Sequence, residues 1–485
     1  MSKSASLVIA AALTASLFGC ATPSGVAPPA PAPEQKQPLA ALNVPIDYYK
    51  LPNGLRVVLS EDHSVPVATL GVYYNIGFRL EPKDRTGFAH LFEHLMFQGS
   101  ANLPKGEFFK LVQGVGGQLN GSTRFDYTNY FEVFPSNALQ TMLWAEGDRM
   151  RSLDITQDNL VNQQGVVKEE VKVNVLNRPY GGFPWLQLPQ HANQNWYNAH
   201  NFYGDLAHID AATLDEARAF FDTYYVPGNA VLVIAGDFDG AQAKAWINQY
   251  FASIPARPVP PMPDISEPPQ TAEKRVVQPD ALAPRPALAF GYHVPPRWTT
   301  EYFAFGLIDE ILLQGEASRL HRDIVQKRGY TDGVSGGINL LGNMFNYSGP
   351  MLWSASLVHD PSTTEAQIMG AIDENIERMR SEPVTREELD RARRVIRSQL
   401  YDVVGSSTRF GLVDLLASFA LFDDDPARIN RIEAEFAKIT PEQIQSTAKK
   451  YLVRENRTVL VLQPEQKAEP TSAKPAGANP TGARP

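Results

Sequence analysis

The chain has 485 residues, 43% of them hydrophobic and 20% charged, and its formal net charge is -9. These proportions are close to globular averages, so the bulk of the chain is neither disordered nor embedded in a membrane. The length favours two or more compact units over one ordinary domain. The acidic balance, with no run of Lys or Arg, argues against nucleic acid as a partner, because phosphate binding needs a concentrated basic surface.

The N-terminus has the composition of an export signal. Lys3 precedes an apolar stretch, Leu7 to Phe18, that is too short to span a bilayer. Its end, Leu17-Phe18-Gly19-Cys20, is similar to bacterial lipoprotein signals, and this resemblance implies cleavage before Cys20 and acylation of the thiol. We therefore expect a lipid-anchored, periplasm-facing protein of the bacterial cell envelope, with the outer membrane favoured by Ala21. A core cysteine, or an export signal cut elsewhere, is the alternative.

Stretches rich in Ala and Pro divide the rest of the chain. They predict a spacer behind the signal, a linker near the middle and a disordered C-terminal tail. The predicted parts are a signal peptide at 1–19, a spacer at 20–42, an N-terminal domain at 43–255, a linker at 256–272, a C-terminal repeat domain at 273–463 and a tail at 464–485.

The two large segments end in the same way. In the first, a helical pattern over 213–225 is followed by a short turn and the apolar strand Ala230 to Ala235. In the second, the helical pattern Pro441 to Tyr451 is followed by a turn and the strand Thr458 to Leu462. The sequence therefore predicts an α+β fold of two homologous halves, each a sheet with helices on one face, that face each other across a cleft.

The strongest local motif is His90-Leu91-Phe92-Glu93-His94. The flanking apolar residues have helical spacing, and residues four apart lie on one face of a helix, so His90 and His94 can bind one Zn2+. Glu93 can reach a metal-bound water and act as general base. The alternative is an amphipathic helix with two incidental histidines. An unsatisfied imidazole in so apolar a helix would be costly, and the chain has only nine histidines.

Further motifs follow in order along the chain: Pro52-Asn53-Gly54-Leu55, Gly116 to Thr123, Tyr225 to Ala230 and Gly236-Asp237-Phe238. Together with the inverted H-x-x-E-H motif, they resemble the pitrilysin/insulinase family of zinc metallopeptidases over most of the chain. Two repeats in one chain are similar to the shorter branch that includes the mitochondrial processing peptidase. The resemblance implies the fold of that branch, one Zn2+ per chain and endopeptidase activity on extended or unfolded peptides.

The resemblance also implies a third zinc ligand on a second helix. The segment Val166-Val167-Lys168-Glu169-Glu170 matches the family pattern, and the family spacing from the zinc motif selects Glu170 over Glu169. Two histidines and a glutamate leave the fourth position for water, which is the catalytic pattern. Many relatives carry another acid seven residues before this ligand, where this chain has Gln163. That departure weakens the expectation of an acidic residue behind the ligands.

Three residues are expected to bind substrate by resemblance. Asn120 would lie on an exposed edge strand beside the zinc and contact the peptide near the scissile bond, while the strand pairs with the peptide backbone. The alternative is a plain hairpin strand. Arg285 and Tyr292 flank the first strand of the second half and would polarise the carbonyl and stabilise the oxyanion. The alternative for this pair is a strand cap and a core tyrosine.

By resemblance the working peptidase has four repeats around a chamber, so a second two-repeat subunit is expected. It would be an identical copy or a different chain without zinc, and the presence of both a full zinc set and the pair Arg285 and Tyr292 favours a homodimer. A second class of function is a binding or assembly subunit that keeps the fold and has lost the chemistry. The intact set of His90, Glu93, His94 and Glu170 argues against it. A non-peptidase metal hydrolase would need a phosphate-binding Gly loop or further ligands, and neither is evident.

Overall fold

The computed structural model describes residues 41–465. The predicted signal peptide, the predicted lipidation site Cys20 and all but the last residues of the predicted spacer lie outside these residues, as does most of the predicted tail. Within the described part, no helix is both long enough and apolar enough to cross a membrane.

The N-terminal half contains six strands and nine helices among the described residues, together with short 3-10 and π-helical turns. In chain order they are β1 (Asp47–Lys50), β2 (Arg56–Glu61), β3 (Val67–Tyr74), α1 (Phe88–Leu95), α2 (Glu107–Gly114), β4 (Gln118–Thr123), β5 (Thr128–Pro135), α3 (Leu139–Ser152), α4 (Gln157–Val171), α5 (Gln187–Ala192), α6 (Trp196–Ala199), α7 (Leu206–Ala211), α8 (Leu214–Tyr224), β6 (Ala230–Gly236) and α9 (Gly240–Phe251).

The C-terminal half continues the numbering after residues 255–271, which form neither helix nor strand and include most of the predicted linker. Its elements are β7 (Lys274–Asp280), β8 (Ala287–His293), α10 (Thr300–Leu312), β9 (Ser335–Ile338), β10 (Leu352–Val358), α11 (Glu365–Ser381), α12 (Arg386–Gly405), α13 (Phe410–Asp423), α14 (Ile432–Lys438), α15 (Pro441–Tyr451) and β11 (Arg457–Pro464). The domain boundaries themselves stay predictions.

The two halves share one sheet topology. The first sheet has the order β1-β2-β6-β3-β5-β4, and the second has the order β7-β11-β8-β10-β9. The pair β2 and β6 is parallel, as is the pair β7 and β11, and the neighbours that follow in each sheet are antiparallel. The prediction of an α+β fold built from two equivalent halves is therefore confirmed.

The repeated ends of the two halves begin with well-capped helices. Helix α8 has a capping box between Thr213 and Glu216, and α15 has one between Thr440 and Gln443 with Pro441 at its first position. Each threonine hydroxyl accepts a hydrogen bond from the backbone N–H of the N3 residue, and the N3 side chain accepts one from the backbone N–H of the threonine, which fixes the start of the helix. The predicted helix at 213–225 therefore begins one residue later than its pattern, because Thr213 is the cap.

The first sheet is covered on both faces, which the sequence did not predict. Along β6, Leu232 and Ile234 pack with the helices of the N-terminal half, whereas Val231 and Val233 pack with residues of the C-terminal half. Side chains alternate between the faces of a strand, so an entirely buried strand needs a partner on each side. Helix α13 supplies the second partner, since it contacts β2, β3 and β6.

The exchange is reciprocal. Helix α5 of the N-terminal half contacts β7, β8 and β11 of the second sheet, where Leu188 packs with Ala289 and Leu460. A polar contact reinforces the junction, because the carboxylate of Asp414 on α13 accepts hydrogen bonds from the hydroxyls of Tyr127 and Tyr73 over 2.9 and 3.2 Å. Each sheet therefore has helices of its own half on one face, as expected, and on its other face it packs against a helix from the other half.

Candidate metal centre

The helix that carries the histidines has a defined start. Gly87 precedes α1 with φ of 88°, and a Cβ atom there would come within 2.6 Å of Ile209, so the position requires glycine. The fully buried carboxylate of Glu81 accepts hydrogen bonds from the N–H groups of Gly87 and Ala89 over 2.8 and 2.6 Å. Burial nevertheless raises the pKa of Glu81 to about 8. The carboxyl group of a preceding loop residue thus accepts hydrogen bonds from N–H groups at the start of α1, which have no acceptor within the helix.

Two helices bring three candidate ligands together. The rings of His90 and His94 project from α1 with centroids 5.0 Å apart, and Glu170 reaches them from the end of α4. Its carboxylate oxygens lie 3.6 Å from Nε2 of His90 and 3.2 Å from Nε2 of His94. One ligand atom from each residue lies within 4.8 Å of the other two. The three predicted ligands therefore converge on a space that suits one ion.

The electrostatics of the cluster follow from this proximity. Hydrogen bonds to His90 and His94 hold the pKa of the Glu170 carboxyl well below its usual range. Burial lowers the pKa of His94, but the hydrogen bond to Glu170 and the charges of Glu170 and Glu93 outweigh it, and the net shift is upward. A carboxylate and two imidazoles at such distances form the donor set that zinc prefers in catalytic sites. The residues present therefore fit a zinc ion.

Gln163 orients His94 from behind. Its Oε1 lies 3.3 Å from Nδ1 of His94, and its Nε2 donates to Asn162 over 2.8 Å. Because an amide oxygen can only accept, this contact calls for a proton on Nδ1 of His94, and Nε2, which faces Glu170, is the nitrogen that would bind a metal. The residue that departs from the family pattern thus still provides the acceptor behind His94, as an amide instead of a carboxylate.

Glu93 is held by the neighbouring edge strand. Its Oε2 accepts a hydrogen bond from the hydroxyl of Thr123 on β4 over 2.7 Å. A Cβ atom at Gly121 on the same strand would come within 3.2 Å of Cγ of Glu93, which shows how closely β4 runs along α1. The carboxylate of Glu93 is therefore fixed beside the three-residue cluster without being part of it.

Asn120 lies on the predicted edge strand. In the first sheet β4 is the last strand and pairs with β5 alone, so its outer edge has no partner among the described strands. The Asn120 side chain is exposed, and its Oδ1 accepts from the N–H of Gly121 over 2.9 Å. The contact of Asn120 with substrate stays a prediction.

Arg285 and Tyr292 are not brought to the cluster within the described chain. Tyr292 is 1% exposed, its ring packs against Trp353, and its hydroxyl lies 3.5 Å from Nη1 of Arg457. The guanidinium of Arg285 lies 3.4 Å from Asp332 on the surface. Tyr292 therefore has the surroundings of a core tyrosine, which was the alternative interpretation, and the role of the pair stays a prediction.

Three residues around the centre were not assigned a role from the sequence. They are Glu81 at the start of α1, Thr123 beside Glu93, and Tyr203, whose ring centroid lies 5.4 Å from that of His90. Thr123 falls inside a motif that matched the family, but its position in the sequence does not show that its hydroxyl contacts Glu93. Glu81 and Tyr203 lie in loops, and no local pattern marks them. Glu169, by contrast, is exposed and pairs with Lys172, as expected for the residue that is not a ligand.

Comparison with known proteins identifies related families and folds. The family model described as insulinase (peptidase family M16) matches residues 56–179, and the model described as peptidase M16 inactive domain matches residues 211–396. The zinc protease PqqE of Helicobacter pylori is 30% identical over 286 residues, which are 57% of this chain and 63% of that relative's length. An uncharacterised zinc protease of Streptomyces coelicolor is 23% identical over 421 residues, 83% of this chain and 86% of its own.

Among solved structures, that of a protease from Helicobacter pylori has a TM-score of 0.80 at 24% identity and covers 87% of this chain and 100% of its own. This likeness concerns the fold. The two family models together match more than half of the chain, and both belong to one family. The chain therefore belongs to the insulinase family of peptidases (M16).

Proposed function

We propose that the chain is a zinc-dependent endopeptidase that hydrolyses extended or unfolded peptides. His90, His94 and Glu170 hold one Zn2+, and Glu93 is the general base. The observation that carries the proposal is the convergence of three ligand atoms within 4.8 Å of one another beside a fourth, separately anchored carboxylate. A merely structural metal site would use four protein ligands and would not need that carboxylate.

Zinc bound by two imidazoles and a carboxylate supplies a Lewis acid with an open position for water or a peptide carbonyl. Glu93 takes the proton from the attacking water and delivers it to the leaving amine. Because Thr123 donates to Oε2 of Glu93, the other carboxylate oxygen is left to accept this proton. Gln163 keeps Nε2 of His94 directed at the centre throughout.

The unpaired edge of β4 gives the substrate class. An extended peptide can add to this edge by backbone hydrogen bonds, and Asn120 on the same strand can contact it. Backbone pairing is tolerant of side-chain identity, so we expect loose sequence preference. A folded protein has its backbone already paired and is a poor substrate for the same reason.

The test is zinc content and peptide hydrolysis of the purified chain and of Glu93→Gln. The amide cannot take the proton from water but removes no ligand, so we expect zinc to stay bound while hydrolysis of an unfolded-peptide mixture falls by more than about 10³-fold. Glu169→Gln is the matched control and should keep both. Activity of Glu93→Gln within about tenfold of wild type would refute the assignment of the base.

A second candidate is a non-catalytic binding or assembly subunit. It is favoured by the description of the model that matches residues 211–396 as an inactive domain. The same assay separates the two functions. A zinc-loaded wild-type chain that binds unfolded peptides and hydrolyses none of them would establish the second.

We also propose that a second two-repeat subunit completes the peptidase and that it is an identical copy. Arg285 is 43% exposed and is available to the site of a partner copy. The chain alone should have the mass of a dimer in solution and should be active, and Arg285→Ala should lower kcat. An inactive monomer that gains activity with a different protein would refute the homodimer, and full activity of Arg285→Ala would remove that residue from the mechanism.

Cys20 lies outside the described residues, and its acylation is likewise a proposal. It would anchor the enzyme to a membrane of the bacterial cell envelope, facing the periplasm. Cys20→Ser should move the protein out of the membrane fraction without changing its peptidase activity, because a spacer separates the anchor from the folded part. A variant that stays on the membrane after salt and carbonate washes would count against the lipid anchor.

A further inference from the structure

The proposed reaction needs a hydrogen-bond donor that Tyr292 does not supply within this chain. As water attacks a peptide bond, negative charge develops on the carbonyl oxygen, and a preorganised donor for that oxygen is among the largest contributions to catalysis. Tyr292 is buried against Trp353 and Arg457, and Arg285 lies beside Asp332. Another side chain with a donor lies beside the His90 ring.

Tyr203 lies directly against the metal centre. Its ring centroid is 5.4 Å from that of His90 at an interplanar angle of 61°. Trp185 packs on it at 5.4 Å and 70°, and Phe78 packs on it at 6.2 Å. The phenol ring is thus held by three aromatic neighbours, one of which is a proposed zinc ligand.

The backbone of Tyr203 is locked to the start of the zinc helix. The neighbouring Gly204 has φ of +80°, and a Cβ atom there would lie 2.4 Å from the backbone nitrogen of Gly87. The N–H of Asp205 donates to the hydroxyl of Thr86 over 2.9 Å, and the N–H of Tyr203 donates to Asn201 over 3.1 Å. The loop that carries Tyr203 is therefore packed against the start of α1, which holds the phenol in a defined position beside His90, as a preorganised donor requires.

The hydroxyl of Tyr203 is free to bind substrate. In the part of the chain that the structure describes, no protein group shares a hydrogen bond with it, although the side chain is only partly exposed. A phenol has an ordinary pKa of about 10, so its hydroxyl is a protonated donor at neutral pH.

We propose that Tyr203 is a catalytic residue whose hydroxyl donates a hydrogen bond to the substrate carbonyl oxygen as negative charge develops there. The inference rests on the proposed peptidase function. It assigns to the zinc-binding half itself a contribution that was expected from the other half. A tyrosine that only packed against His90 would act through its ring, and removal of the hydroxyl would then have no effect.

The first test is Tyr203→Phe, which keeps the ring and removes the donor. We expect zinc content and Tm to stay at the wild-type values, kcat to fall by about 10²-fold and KM to change little, because the donor acts in the transition state. Tyr224→Phe is the matched control, since Tyr224 is another partly buried tyrosine of the same half and is not part of the centre. It should behave as wild type.

The second test measures binding instead of turnover. A phosphinic peptide carries a tetrahedral anionic oxygen where the reacting carbonyl would be, and calorimetry gives its affinity for the zinc-loaded chain. Tyr203→Phe should bind it about tenfold to 100-fold more weakly, as expected for a lost hydrogen bond to a charged oxygen. Tyr224→Phe should bind it with wild-type affinity.

The outcomes separate the two proposals. If the wild type is active and Tyr203→Phe equals it in kcat and in phosphinate affinity, the role of Tyr203 is overturned while the peptidase function stands. Loss of zinc in Tyr203→Phe would overturn it too, since the hydroxyl would then serve the metal site. A wild-type chain that neither hydrolyses peptides nor binds the phosphinate would refute the peptidase function and, with it, this role.

Discussion

The hydroxyl of Thr123 donates a hydrogen bond to Oε2 of Glu93 over 2.7 Å and so joins the edge strand β4 to α1, the helix that carries His90 and His94. Thr123 is 8% exposed, and its hydroxyl also lies 3.5 Å from the carbonyl oxygen of Ala89. The contact fixes one oxygen of the proposed base and leaves the other for proton transfer. The strand that would hold the peptide therefore also positions the base.

Thr123→Val should lower kcat by about tenfold with little change in KM, because valine keeps the shape of threonine and loses the donor. The zinc content should not change, since Glu93 is not a ligand. Thr123→Ser restores the hydroxyl and should recover most of the activity. Steady-state kinetics of the two variants against a fluorogenic peptide measure the effect, and a Val variant with wild-type kcat would mean that Glu93 needs no such support.

Two neighbouring glutamates on α4 test which residue of that helix is the third zinc ligand. Glu170 lies 3.2 Å from His94, whereas Glu169 is exposed and pairs with Lys172. Glu170→Gln should weaken zinc binding by more than about 100-fold, because loss of a residue behind a ligand alone costs roughly 10- to 100-fold. Glu169→Gln should bind zinc as wild type does. Competition with a chelator gives both affinities, and the reverse order would show that the register is wrong.

Much of this centre was accessible from sequence, because its parts obey local rules. His90 and His94 are one helical turn apart, and spacing along the family pattern selected Glu170. The repeated pattern of helix, short turn and apolar strand at the end of each half revealed the duplication. In these segments the spacing of apolar and functional residues matches the geometry of the helix or strand, so the sequence pattern predicts the structure.

What escaped prediction depends on which elements meet in space. The sequence of α13 is apolar almost all round, which signals burial, but nothing in it indicates that the helix packs against the sheet of the other half. Tyr292 lies on a strand pattern that suits a core tyrosine as well as a substrate contact. Tyr203 reaches His90 across more than a hundred residues of chain, and such a contact leaves no local period.

Gln163 gives a prediction about metal affinity. Its Oε1 accepts from Nδ1 of His94 over 3.3 Å and so sets which ring nitrogen is free for the metal. Gln163→Leu removes the acceptor at similar volume and should weaken zinc binding by about tenfold to 100-fold. Gln163→Glu supplies a charged acceptor and should bind zinc at least as tightly as wild type. Equal zinc affinity in all three proteins would mean that His94 needs no partner for its orientation.

Glu81 gives a prediction about stability and pH. Its carboxyl is fully buried under the start of α1, and burial raises its pKa from 4.5 to about 8 although it accepts two N–H bonds. Between these pH values the unfolded chain releases the Glu81 proton while the folded chain keeps it. The free energy of unfolding should therefore decrease as pH rises through this window, by at most about 1.4 kcal/mol per pH unit from this group, and should level off above it.

Glu81→Gln isolates this contribution. The amide does not titrate, and it leaves one of the two N–H groups, of Gly87 or Ala89, without an acceptor, which adds an offset that does not depend on pH. The stability of wild type relative to the variant should thus fall as pH rises from 5 to 8. Urea unfolding of the metal-free proteins measures it, since zinc binding carries a pH dependence of its own. The control is Glu169→Gln, a change at an exposed residue, whose free energy of unfolding should depend on pH as that of the wild type does. If the free energy of unfolding of Glu81→Gln also has the pH dependence of the wild type, Glu81 is ionised across the whole range.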